Sequence, residues 1–183
     1  MIFILVIIVV VLVTGIFYFN QLVRHQYLLR EALSGMDVQL KRRHDLIPNI
    51  VTAVKGYKQY EQDVLTKVTS LRNQLTQSTT IQEKGTAENN LSQGLKTIFA
   101  IAEAYPDLKA NQNFLDLQKN LVDIEDQIQM ARRYYNGTVR DYNILVQSFP
   151  GNLVANLLNF KLADYFEIEY ATDRQVPDVK MTD

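Results

Sequence analysis

Glu125, Arg132, Asn136 and Asn143 stand 7, 4 and 7 residues apart. On an α-helix these positions fall within about 20° of one line, so a single face would carry a carboxylate, a guanidinium and two amides. Earlier in the chain, Arg43 and Glu61 interrupt a run of apolar residues that recurs at helical spacing. In an open cleft, Glu61 and Glu125 could act as acid and base beside Arg43 or Arg132, with burial shifting their pKa values. Packed between helices, the same groups would instead form a paired network that fixes register. A third use is a docking face for a partner protein.

Other chemistry is thin. His25 and His44 form no H-x-x-x-H pattern, and no acid stands at metal-ligand spacing with either. The chain has no cysteine, which excludes disulfides, thiol nucleophiles and cysteine-held metals. Neither a phosphate-binding glycine loop nor a G-x-S-x-G elbow occurs. The residues therefore name no catalytic group, metal or cofactor. The triplet Lys41, Arg42 and Arg43 is short, and the net charge is −1, so nucleic acid is not an expected partner.

The elements that must position these residues are helical. Only 7 glycines and 4 prolines punctuate 183 residues, which suits long helices better than a turn-rich β fold. The run "MIFILVIIVVVLVTGIFYF", from Met1 to Phe19, has no charged side chain. At 1.5 Å per residue it spans roughly 28 Å, close to the thickness of a bilayer's hydrocarbon core. Phe17, Tyr18 and Phe19 close it where an aromatic belt would lie. A cleaved signal peptide would need a basic start and small residues at the cleavage site, so the expectation is a retained single-pass anchor in the lipid bilayer. Arg24 and Arg30 follow the span and nothing basic precedes it. The positive-inside rule then places the N-terminus outside and the C-terminal domain in the cytoplasm.

Beyond the span, Leu29, Leu33, Met36, Leu40, Arg43, Ile47, Ile50, Val54, Tyr57, Glu61, Val64, Val68, Leu71 and Leu75 alternate 4 and 3 apart. This heptad seam keeps its register through Pro48. It predicts one long helix, roughly 20–77, kinked at Pro48; the alternative is a hairpin at "HDLIPN". The polar stretch "TQSTTIQEKGTAEN" reads as a connection. A short helix follows, with Leu91, Leu95, Ile98, Ala102 and Tyr105 on one face, ending at "YPDLKANQ", where Asp107 can cap the next helix. That helix is long, with a seam from Phe114 through Leu121, Ile128, Tyr135 and Tyr142 to Phe149, and "FPG" stops it. "YYN" at 134–136 and "DYN" at 141–143 lie seven apart and stack on one face. The expected fold is all-α: a transmembrane helix continuing into a long kinked helix, in an antiparallel bundle of about four helices. The expected divisions are an anchor at 1–19, a bundle at 20–166 and an extended tail at 167–183.

Several blocks together resemble the LemA family. They are "DVQLKRRHDLIPNIVTAVKGYKQYE" at 37–61, "LR" at 71–72, "EAYPDLKANQNFLDLQKNLVDIEDQIQMARRYYNGTVRDYN" at 103–143, and "FP" at 149–150. The resemblance implies a bacterial single-pass membrane protein with a helical-bundle domain. It supplies no catalytic residues to carry over. It implies an accessory or scaffolding role with a membrane protein partner, such as a membrane protease of the HtpX type, or with further copies of the chain. The rival reading is the enzyme with Glu61 and Glu125 beside Arg43 or Arg132.

Overall fold

A computed structural model describes residues 1–55, 66, 68–73 and 80–166. The described residues form helices and no strand. The first helix, α1 (Ile2–Lys55), runs from the anchor straight into the bundle and through Pro48, so the hairpin at "HDLIPN" is not formed. Pro48 sits on the exposed side of α1, while Ile47, Ile50 and Val51 beside it are buried. The missing N–H therefore falls on the water side, where an unpaired carbonyl is hydrated, and the apolar seam stays intact.

The long first helix does not reach residue 77 as the seam suggested. Helical residues 68–73 form α2, whose Val68 is buried in one cluster with Ile50 and Val54 of α1. Arg72 is near enough to His44 for its charge to act on the imidazole. On one straight helix those two residues would be about 42 Å apart. Residues 68–73 are therefore no straight continuation of α1, and α2 lies back alongside it; residues 56–65, 67 and 74–77 of the expected helix lie outside the described residues. The seam kept its phase because both helices face the same core.

The next helix, α3 (Ile81–Ala102), begins earlier than the polar composition suggested. Thr80 and Glu83 form a capping box: the Thr80 hydroxyl accepts from the Glu83 N–H at 3.1 Å, and the Thr80 N–H donates to the Glu83 carboxylate at 3.2 Å. Those reciprocal bonds satisfy the first orphan donors and let a polar stretch start a helix. After α4 (Pro106–Lys109) comes α5 (Gln112–Gln147), capped by Asn111, whose side chain accepts from the Phe114 N–H at 3.2 Å. Asp107 instead lies in the first turn of α4, so the expected cap was misplaced by one short helix.

The register of contacts gives the topology. Leu22 packs with Tyr142 and Val146, Met36 and Leu40 with Ile124 to Val139, and Ile50 with Phe114 and Leu121. Numbers rise on α1 as they fall on α5, so the two are antiparallel. On α3 the order is the same as on α1: Lys84 meets Asp37, Glu88 meets Arg43, and Leu95 and Ile98 join the cluster of Ile50 and Val54. The bundle is thus up, down, up, down, with α5 returning to the membrane end. There α6 (Gly151–Leu157) turns across the root of α1. Asn159, at φ 58°, redirects the chain in the left-handed conformation that asparagine tolerates. Residues 160–166 then run extended along α5.

Candidate functional site

Arg43 is the centre of the bundle's polar interior. It occupies a seam position on α1 and is only 1% exposed. Its guanidinium contacts the Glu88 carboxylate of α3, with one Nη2–Oε2 ion pair. Nη1 donates to Glu125 Oε1 of α5 at 2.5 Å and to the Ser92 hydroxyl at 2.7 Å. Nη2 also donates to the Glu88 main-chain carbonyl at 3.3 Å. One planar fork therefore ties three helices together, which a lysine's single point charge could not do. Glu88 is 2% exposed, whereas Glu125 is 30% exposed and meets solvent on its outer side. One helical turn nearer the membrane, Lys84 and Asp37 bridge α3 and α1 again at 3.3 Å.

His44 adjoins this cluster, its Nε2 lying 2.9 Å from Glu88 Oε1. Burial, then the positive charges of Arg43 and Arg72, hold its pKa down from 6.5 to about 4, against a small opposing pull from Asp45. Arg43 already neutralises Glu88, so the imidazole is neutral at pH 7 and donates its Nε2–H to that carboxylate. His25 bonds the Gln21 carbonyl through Nδ1 at 2.8 Å, one turn back on its own helix. Both histidines thus have structural partners, and no cluster of metal-binding side chains occurs among the described residues.

The stripe Glu125, Arg132, Asn136 and Asn143 does lie on one side of α5, but its members do different work. Glu125 faces Arg43. Arg132 stacks its guanidinium over the Phe166 ring at 5.3 Å. Asn136 and Asn143 do not reach Arg43; each grips the main-chain N–H and C=O of one residue of the extended segment. Asn143 donates to the Ala163 carbonyl and accepts from the Ala163 N–H, both at 2.9 Å. Asn136 does the same to Phe166, at 3.2 and 2.9 Å. The tyrosine before each asparagine adds a bond: Tyr142 OH donates to the Lys161 carbonyl and Tyr135 OH to the Asp164 carbonyl, each at 2.9 Å. Burial raises the pKa of both phenols, with Asp164 and Asp37 adding to the rise at Tyr135, so both keep the proton they donate.

The spacing explains why the pattern repeats. Seven residues of helix rise about 10.5 Å and three extended residues span about 10 Å. The two Tyr–Asn pairs therefore meet the extended segment at matching intervals, three residues apart. Glu61 lies outside the described residues. Glu88 and Ser92 were missed from sequence, although one signal was present: continuing the α3 seam back three residues from Leu91 lands on Glu88.

Between α3 and α5 lies an open groove of about 660 Å³. Its floor is apolar, with Leu95, Phe99 and Leu121, and its lip carries Glu125, Arg132 and Lys96. Such a surface can bind an apolar segment with polar edges. Its wall also carries the Asp126 carboxylate and the Ser92 hydroxyl, and both Ser92 and Glu125 accept from Arg43 Nη1.

Fold and site define a class: a membrane protein in which one apolar helix continues into a four-helix bundle cross-braced by a buried arginine. The family model described as the LemA family matches residues 32–181. The chain belongs to the LemA family. Protein LemA of Metamycoplasma hominis is 30% identical over 172 residues, covering 87% of this chain and 77% of that protein. Magnetosome protein MamQ 2 of Paramagnetospirillum magneticum is 30% identical over 90 residues, covering 49% of this chain and 33% of its own length. Magnetosome protein MamQ of Magnetospirillum gryphiswaldense is 28% identical over a stretch of the same length. The chain thus spans about a third of the magnetosome relatives it matches.

Proposed function

We propose that this chain is a membrane-anchored, non-catalytic scaffold that docks membrane-protein partners, or further copies of itself, through its helical bundle. The observation that carries this reading is the fate of Arg43. The charged group of the seam is buried between Glu88 and Glu125, where it braces three helices. The α3–α5 groove is the docking surface this leaves, and a membrane protease of the HtpX type is the candidate occupant that the family resemblance suggested. None of the relatives' names denotes a catalytic activity.

The test places a photo-crosslinking residue at Val122, which lines the groove and is 56% exposed. The full chain in its native membranes should yield a discrete adduct with a membrane protein or with a second copy. Absence of any adduct from Val122, Gln118 and Gln129 would refute docking there. The enzyme reading instead requires a turnover that is lost in E125Q while the bundle stays folded. Orientation belongs to the same proposal: the bundle is cytoplasmic, so a cytoplasmic reporter fused after Asp183 should be active, and activity of a periplasmic reporter there would reverse the topology.

A further inference from the structure

Apart from the anchor itself, the exposed apolar side chains are concentrated at one end of the bundle. Phe149, Leu153, Leu157, Leu158 and Leu162 all face outward within fourteen residues, Leu157 at 84% and Phe149 at 78% exposure. The same stretch is fastened to the root of the apolar span. Gly151 is buried against the Tyr18 ring, Ala155 packs with Leu22, and the Phe160 ring stands 6.4 Å from that of Phe19. Leu22 is only three residues, about 4.5 Å, beyond Phe19, the last residue of the apolar run before Asn20. The α6 stretch therefore lies at the height where α1 leaves the hydrocarbon.

At that height an outward apolar face does not meet bulk water. It meets the boundary between headgroups and acyl chains, where an amphipathic segment lies with its apolar side down. The composition of the stretch fits. Its inner face is small, Gly151 and Ala155, which brings α6 close to α1. The exposed Asn156, Asn159 and Lys161, with Arg24 on α1, suit the polar headgroup layer. Along the rest of the bundle the exposed apolar residues are single, such as Tyr27, Val38 and Val122, or paired, as Met130 and Tyr134 are one turn apart on α5.

We propose that residues 149–162 are a second membrane contact, seating Phe149 and the outward leucines in the bilayer interface beside the span. A single helix leaves the bundle free to tilt and rotate about its exit point. A second contact fastened to α1 and α5 fixes how the α3–α5 groove is presented above the membrane.

The chain has no tryptophan, so single-tryptophan variants report cleanly. The full chain is reconstituted in phosphatidylcholine–phosphatidylglycerol vesicles containing brominated lipids as quenchers. Tryptophan is placed in L157W, in L153W, in V122W on the groove, and in V9W within the span. L157W and L153W should emit to the blue of V122W and lose emission to lipids brominated near the carbonyl end of the chain. V9W should be quenched best by bromine deeper in the chain, and V122W by neither. If V9W is quenched while L157W and L153W behave like V122W, the second contact is wrong although the span stands. If L157W is shifted to the blue yet unquenched, the patch is covered by protein, and the proposal is equally overturned.

Discussion

Replacing Arg43 with leucine tests the buried brace directly. Arg43 and Glu88 are 1% and 2% exposed, so R43L leaves a carboxylate buried without its charge partner. Breaking such a pair typically costs about 3–5 kcal/mol. For a domain of this size each kcal/mol moves the melting temperature by about 2–4 °C, so R43L should lower it by roughly 6–20 °C. The double variant R43L/E88L removes both charges and should recover most of that loss, because an apolar pair of similar volume is often as stable. The loss should also depend on pH. The folded protein holds His44 down to about 4, below its ordinary 6.5, so it binds fewer protons than the unfolded chain between those values. Stability is full above pH 6.5 and falls as the pH drops toward 4. R43L removes one of the charges that depress His44, and a protonated imidazole can then replace the guanidinium beside Glu88. The gap between wild type and R43L should therefore be widest near pH 7 and narrow toward pH 5. Thermal melts followed by circular dichroism across that range are the assay. A shift under about 2 °C, or a double variant as unstable as the single, would refute a buried brace. A gap that ignores pH would show that Arg43 acts by packing and not by charge.

Other substitutions probe the elements around this centre. P48A should keep the helical signal and raise stability, by up to ~3 kcal/mol, since it restores an N–H on the exposed side of α1; loss of folding would show that the bundle needs the proline's shape. N143A removes two hydrogen bonds to the main chain of one residue and should cost about 2 kcal/mol, with faster amide hydrogen exchange at Ala163; N136A should do the same at Phe166. Unchanged exchange in both would mean the asparagines do not hold the extended segment. G151A should destabilise by about 1–3 kcal/mol in a thermal melt, because a Cβ there collides with the Leu145 carbonyl and lies 3.2 Å from the Tyr18 ring. A neutral result would show that α6 can move away from α1.

The helices, their apolar faces and the apolar N-terminal run were legible in the residues alone, because these follow from spacing within ten or twenty residues. The seam through Pro48 favoured one continuous helix over a hairpin there, and α1 runs through it. Arg43 stood out as a charge on an apolar face, and burial with two carboxylates is the physical answer to that mismatch. Where α1 ends was not legible, because two helices facing one core share a phase whether or not they are continuous. Partners were not legible either. Glu88 and Ser92 lie 45 and 49 residues from Arg43, and periodicity carries no information about which helix packs on which. The Tyr–Asn repeat was visible as a repeat, but its meaning depended on an extended segment folding back along α5 with a three-residue interval matched to two helical turns. The apolar residues of 149–162 were likewise visible, but only the packing of Gly151 on Tyr18 and Phe160 near Phe19 decided their height beside the span. Local spacing fixes which face of a helix seeks a partner; only the closed bundle decides which partner it finds.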